Sequence, residues 1–194
     1  MKIRSAEFVG ASTGPENMLG DGAPEVAFAG RSNVGKSSLL NRLVGRRIAR
    51  TSSTPGRTQT VNWYRTEDGR WLVDLPGFGY AKASKTARQA WAQTVADYFA
   101  KPAQRRLLIH LVDSKVGATP LDVEAAGYFE ALDLERLVVA TKIDKVKRGQ
   151  RARVESEIRR ELGLGTETDV MPVSATSGEG VRELWKRIAE FFAR

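Results

Sequence analysis

Cysteine is missing from this 194-residue chain, and histidine occurs once. No disulfide can form, and no thiolate can hold a metal. No apolar run approaches bilayer length, so neither a membrane span nor membrane association is expected. The opening Met1-Lys2-Ile3-Arg4-Ser5-Ala6-Glu7 lacks the apolar core of a signal peptide. A cytoplasmic location is the simplest expectation. Repeats, low-complexity tracts and dividing linkers are also missing, which predicts one domain over 1–194. With 41% hydrophobic and 28% charged residues, that length suffices for one globular core.

Acidic residues are missing from a long stretch. None occurs between Glu25 and Glu67, where Arg31, Lys36, Arg42, Arg46, Arg47, Arg50, Arg57 and Arg65 all lie. These eight cations equal the whole net charge of +8, so the remainder balances. A second run, Lys145, Lys147, Arg148, Arg151 and Arg153, is likewise free of acids. Fields of this kind favour a polyanion, RNA foremost. A solvated basic face that only aids solubility is the alternative.

What is present begins with Gly30-Arg31-Ser32-Asn33-Val34-Gly35-Lys36-Ser37, an ungapped match to the phosphate loop G-x-x-x-x-G-K-S/T. Chance supplies such a match in a chain this long about once in a hundred. Its glycines let backbone N–H groups converge on phosphate oxygens without a Cβ in the way. Lys36 brings a compact charge to the β- and γ-phosphates, and the Ser37 hydroxyl suits Mg²⁺. Glu25 to Ala29 reads as a buried strand and Ser38 to Val44 as a helix. The loop therefore sits where phosphates meet a helix N-terminus, and Ser38 joins the candidate contacts.

The rest alternates strand-like and helix-like segments, the pattern of a doubly wound α/β sheet. Thr60 to Arg65 and Trp71 to Asp74 predict a hairpin across Glu67-Asp68-Gly69. Leu107 to Asp113 and Leu137 to Ala140 predict strands covered on both faces. Asp169 to Val173 predicts a short last strand. Helices are expected over Lys85–Phe99, from about Thr119-Pro120, over Arg151–Leu162 and over Val181–Phe192. Ile3 to Val9 predicts an edge strand within an N-terminal extension over 1–23, and Gly10 to Ala23 a loop.

Three further segments fall just after predicted strands, where ligands of open α/β sheets gather. In Asp74-Leu75-Pro76-Gly77, Asp74 can hold the Mg²⁺ hydration shell and the Gly77 N–H can meet a γ-phosphate. In Thr141-Lys142-Ile143-Asp144, the Asp144 carboxylate can accept from N1–H and the exocyclic amine of guanine, a pair adenine does not offer. The Lys142 stem can cover the base plane. Val173-Ser174-Ala175 can offer a backbone N–H to the guanine oxygen.

This set of motifs resembles the GTPase branch of P-loop proteins. Within it the chain closely resembles the bacterial EngB (YihA/YsxC) family of ribosome biogenesis GTP-binding proteins, in the TrmE-Era-EngA-EngB-septin-like class. The resemblance rests on GRSNVGKSSLLN at 30–41, TPGRTQT at 54–60, DLPGFGYA at 74–81, TKID at 141–144 and VSATSGEG at 173–180. It covers nearly the whole chain. It implies a P-loop NTPase three-layer α/β sandwich: a mostly parallel six- to seven-stranded sheet with one antiparallel strand and helices on both faces. It implies GTP and GDP as ligands with Mg²⁺, and Gly56-Arg57-Thr58-Gln59-Thr60 as the first switch, with Thr58 as a second hydroxyl ligand of the metal. Lys36, Thr58 and Gly77 would carry catalysis. A monomer is expected, with rRNA of the large ribosomal subunit as partner and cell division and septation as the dependent process.

Two departures from the commoner GTPase pattern bear on chemistry. The base motif usually opens with Asn, and here Thr141 shortens an amide to a hydroxyl. Phe78 stands where Ras-like enzymes place a Gln that orients the attacking water, which predicts slow intrinsic turnover. By the resemblance, Asn33 is a candidate K⁺ ligand beside the phosphates; tolerance of a left-handed backbone is the alternative. A P-loop ATPase, and a GTP-dependent scaffold for division proteins with little hydrolysis, remain the competing functional readings.

Other conspicuous residues read as structural. His110 lies in an apolar strand and predicts a satisfied core histidine. Trp91, Tyr98 and Phe99, and Leu184, Trp185, Ile188, Phe191 and Phe192, sit at helical spacing that suits packing. Trp63 and Tyr64 divide between sheet packing and RNA contact, and Arg57 between a phosphate-facing role and a plain loop arginine.

Overall fold

The computed structural model describes residues 5–49, 60–79, 85–132 and 134–194. Within them the strands are β1 (Ala6–Ser12), β2 (Glu25–Gly30), β3 (Val61–Thr66), β4 (Trp71–Asp74), β5 (Arg106–Asp113), β6 (Glu135–Thr141) and β7 (Val170–Pro172). The helices are α1 (Lys36–Val44), α2 (Lys85–Ala100), α3 (Pro120–Glu130), α4 (Arg151–Glu161) and α5 (Val181–Ala193). One sheet runs β1-β3-β4-β2-β5-β6-β7. Only β3 opposes the others, pairing antiparallel with both β1 and β4. The predicted architecture is the observed one.

The central strands explain the layering. Along β5, Leu107, Ile109 and Leu111 enter one apolar cluster with Val26, Phe28, Leu39, Leu43 and the buried face of α5. Leu108 points oppositely, into a cluster with Trp63, Tyr98 and Phe129. Alternate side chains are thus covered on both faces, which is why these strands read as continuous apolar runs. On α5, Leu184, Trp185, Ile188, Phe191 and Phe192 are buried, and each stabilises the fold by roughly 1.5–3 kcal/mol. The Trp185 indole N–H also donates to the Leu43 carbonyl at 2.6 Å, fixing α5 on α1. Thr119 caps α3 as expected, in a capping box with Asp122.

Two details differ from the sequence expectations, and one reading left open is decided. The edge strand continues through Ser12, because Trp63 donates its indole N–H to Ser12 Oγ at 2.9 Å and extends the pairing with β3. The predicted loop after it holds a 3-10 turn at Pro15–Asn17. Trp63 and Tyr64 are both buried, so both pack rather than face RNA.

An ion pair lies inside the lower end of the sheet. Glu25 Oε2 accepts from Tyr98 Oη at 2.8 Å and from Arg106 Nε at 3.0 Å. Burial pushes the Glu25 carboxyl above its usual range, against the opposing pull of Arg106. This end is opposite the loops that form the candidate site.

Candidate nucleotide site

The phosphate loop follows β2 and ends on the first turn of α1. Gly35 is the N-cap at φ 105°, a left-handed backbone that a Cβ would strain. The first intrahelical bond runs from Leu39 N–H to the Gly35 carbonyl at 2.9 Å. The amides of Lys36, Ser37 and Ser38 therefore open the helix without intrahelical acceptors, as an anion site requires. The Lys36 ammonium contacts Asp74 Oδ1 at the end of β4. Ser37 and Asp74 supply hard oxygen donors, the set that suits Mg²⁺.

The segment after β4 is built directly onto the phosphate loop. Ser32 N–H donates to the Phe78 carbonyl at 2.8 Å, and Phe78 N–H to the Gly30 carbonyl at 3.3 Å. Between them Gly77 passes so close that an added Cβ would lie 3.1 Å from Ser32 Oγ and 3.2 Å from its nitrogen. The Gly77 N–H has no acceptor among the described residues. Leu75 is anchored through its own N–H to the Phe28 carbonyl at 3.0 Å.

Phe78 faces the core. Its ring meets Trp91 edge-on at 5.7 Å and His110 at 6.1 Å, and the residue is 6% exposed. It cannot reach solvent to place a water, nor can a ring do so chemically. His110 is buried as expected, but it is not satisfied: neither ring nitrogen has a hydrogen-bond partner among the described residues. Burial, with the Arg136 charge adding to it, holds its pKa down to about 3.

The base side is tied to the phosphate side. Thr141 Oγ1 donates to the Val34 carbonyl at 2.7 Å, with the Val112 carbonyl at 3.1 Å. The Lys142 ammonium donates to the Asn33 carbonyl and to Asp113 Oδ2, both at 2.8 Å. Its stem passes Gly35, where a Cβ would stand 3.8 Å from Lys142 Cε. Ser174 Oγ donates to Asp144 Oδ1 at 2.6 Å and accepts from Ser177 N–H at 3.0 Å. That hydroxyl is the main cause holding the Asp144 carboxyl below the usual aspartate range. Ile143 is buried and donates its N–H to the Val173 carbonyl at 3.3 Å, joining this motif to the Val173-Ser174-Ala175 loop. The Ala175 amide is free of partners among the described residues.

The structure thus brings together 30–38, 74–77, 141–144 and 173–175. Gly56, Arg57, Thr58 and Gln59 lie outside the described residues, as does Arg50. Thr60 is described and donates to Asn62 Oδ1 at 3.3 Å. Asn33 is exposed with φ 67°, so its backbone gives one physical reason for an Asn there. Sequence reading missed two structural partners. Asp122, buried at the start of α3, pairs with Arg31 Nε at 3.0 Å. Trp91 donates its indole N–H to the Pro76 carbonyl at 2.8 Å.

The basic runs are less basic in space than in sequence. Arg31, Lys36, Arg46 and Arg65 each have a carboxylate beside them, as do Lys145, Arg151 and Arg153. Exposed Arg42, Arg47, Lys147 and Arg148 have none among the described residues. No helix among the described residues is long and apolar enough to cross a membrane.

Residues 25–142 match the protein family described as 50S ribosome-binding GTPase. A curated relative from Exiguobacterium sibiricum, described as "Probable GTP-binding protein EngB", is 44% identical over 97% of this chain and 98% of its own length. The chain belongs to the EngB family of GTP-binding proteins. A second EngB relative, from Heliobacterium modesticaldum, is 44% identical over 95% of this chain and 90% of its own. A crystal structure of a probable GTP-binding protein EngB covers 87% of this chain and 98% of that chain, with TM-score 0.69 and 26% identity. An Era structure in complex with MgGDPNP and nucleotides 1506–1542 of 16S ribosomal RNA covers 87% of this chain and 56% of that chain, also with TM-score 0.69, at 25% identity. Membership of the EngB family makes this chain a GTP-binding protein of the GTPase class.

Proposed function

We propose that the chain is a GTP-dependent switch, slow in hydrolysis on its own, that acts in assembly of the large ribosomal subunit. The observation that carries the switch is the Gly77 segment. Its N–H is without an acceptor among the described residues, an added Cβ there would crowd Ser32, and the next side chain is withdrawn into the core. A γ-phosphate can be sensed there, while no side chain at position 78 orients the attacking water. Mg²⁺ would be held by Ser37, by Thr58 of the first switch and, through water, by Asp74, and it would neutralise charge developing on the phosphates. K⁺ beside Asn33 would supply the positive charge that an arginine finger otherwise provides.

The rRNA reading draws on the unpaired exposed cations Arg42, Arg47, Lys147 and Arg148 and on the family resemblance. A cytoplasmic monomer needed for normal division and septation completes the proposal. The test is co-sedimentation with immature and mature large subunits, with GDP or a GTP analogue, across a salt series. Preferential binding in one nucleotide state that weakens with salt is expected. Binding indifferent to nucleotide and salt would instead favour a scaffold. Single-turnover hydrolysis above about 1 s⁻¹ for the isolated protein, or equal rates in K⁺ and Na⁺, would remove the slow-turnover and K⁺ parts respectively.

A further inference from the structure

The Pro76–Gly77 peptide is gripped from the helix side by one side chain. Trp91 donates its indole N–H to the Pro76 carbonyl at 2.8 Å. The structure has no cis peptide among its described residues, and in a planar trans peptide the C=O and the following N–H point in opposite directions. Pinning the Pro76 oxygen toward α2 therefore turns the Gly77 N–H away from α2. Gly77 also lies close to the phosphate loop, where an added Cβ would stand 3.2 Å from the Ser32 nitrogen.

Trp91 is itself held. Its ring meets Phe78 edge-on at 5.7 Å with 71° between planes, and it packs at the margin of the cluster containing Ala27, Leu75 and Tyr98. Position 91 shares an inward face of α2 with the buried Thr94, Val95 and Tyr98. The following 77–78 and 78–79 peptides are fixed by backbone bonds to Gly30 and Ser32. Among the described residues, the 76–77 peptide is held instead by a side chain.

We propose that Trp91 is a positioning residue for γ-phosphate recognition: its indole N–H fixes the Pro76 carbonyl and so aims the Gly77 N–H. This rests on the reading of Gly77 as the γ-phosphate sensor. GDP has no γ-phosphate, so the contribution belongs to GTP alone. Trp91→Phe keeps the ring beside Phe78 and removes the donor.

The experiment measures GDP and GDPNP affinity by calorimetry in Mg²⁺ buffer, with ATP as a control, for the parent and the Trp91→Phe protein. The expected result is GDP affinity within about twofold of the parent and GDPNP affinity lower by roughly three- to tenfold, the worth of one net hydrogen bond. An unchanged GDPNP-to-GDP ratio overturns the proposal, whether or not thermal stability falls with it. A parent that does not prefer guanine nucleotides would instead defeat the GTPase reading of the site. Should Trp91→Phe not fold, the parent protein supplies the second readout. Its Trp91 indole N–H resonance, assigned through contact with the Phe78 ring, should shift between the GDP and GDPNP states. A resonance that stays in place overturns the proposal.

Discussion

The Thr141 hydroxyl donates to the Val34 carbonyl across 2.7 Å, joining the end of β6 to the middle of the phosphate loop. Thr141 is 4% exposed and Val34 1%, so water cannot replace the bond. Thr141→Val keeps the shape and deletes the donor. The stranded carbonyl should cost about 1–3 kcal/mol in urea unfolding. Because the loop loses a brace rather than a ligand, GDP and GTP-analogue affinity should fall together by similar factors in titration. A loss confined to one nucleotide would contradict the bracing role.

In the proposed site, Asp144 would read the identity of the base and Ser174 would hold its carboxylate in place. Asp144→Asn replaces a double acceptor by an amide, so preference should move from guanine to xanthine nucleotide in competition binding. Ser174→Ala removes the 2.6 Å bond that orients the carboxylate. It should weaken GTP and GDP by about three- to tenfold without changing the preferred base. The pH sign follows from the downward shift at Asp144, whose largest cause is Ser174. The associated stability is present above the ordinary aspartate value of about 3.9 and is lost as pH falls through the lower folded value. Ser174→Ala should therefore show a shallower acid loss below about pH 4 in a denaturation series.

Gly180 opens α5 with φ 71°, and an added Cβ would stand 2.1 Å from the Pro172 carbonyl oxygen. Left-handed backbone costs a non-glycine residue about 1–2 kcal/mol, and the overlap must also displace β7. Gly180→Ala should lose more than about 2 kcal/mol in thermal or urea unfolding. Guanine nucleotides should bind more weakly as well, since the Glu179 carbonyl holds the Ser174 amide at 2.9 Å. Gly149→Ala, with nothing within 4 Å of its added Cβ, is the control and should stay within about 0.5 kcal/mol.

Local chemistry and periodicity made most of this molecule legible before its structure. The phosphate loop, the strand ends that carry Asp74, Asp144 and Ser174, and the Thr119 cap all depend on neighbours in sequence or on a strand-to-loop transition. What escaped was set by long-range contact. Composition could not show that Arg31 is answered by Asp122 in α3, or Arg151 by Glu179; Lys145 and Arg153 have local partners instead, Asp144 and Glu157, which a count of the acid-free run passes over. The acid-free runs thus overstated the field that the fold presents. Likewise, an Asn-to-Thr departure at 141 looked like a shortened base contact. Only the spatial approach of Val34 shows what the hydroxyl holds.

His110 provides the clearest pH prediction. It is fully buried in β5 between Phe78 and Phe129, its ring nitrogens are without partners among the described residues, and its pKa is held down to about 3. The folded protein keeps this imidazole neutral, whereas the unfolded chain takes up its proton near the ordinary value of about 6.5. Its contribution to stability is therefore complete above about 6.5 and is lost by about 1.4 kcal/mol per pH unit below it, until the folded value near 3 is reached. His110→Leu removes both the titration and two unsatisfied nitrogens, at the loss of ring-edge contacts with the two phenylalanines. At pH 7.5 the variant should be equal to the parent or up to about 2 kcal/mol more stable. Between pH 6.5 and 5.5, where the unfolded imidazole goes from half to almost fully protonated, the parent should lose about 1 kcal/mol more than the variant in urea unfolding. An identical pH slope in the two proteins would mean that His110 gains a proton without unfolding.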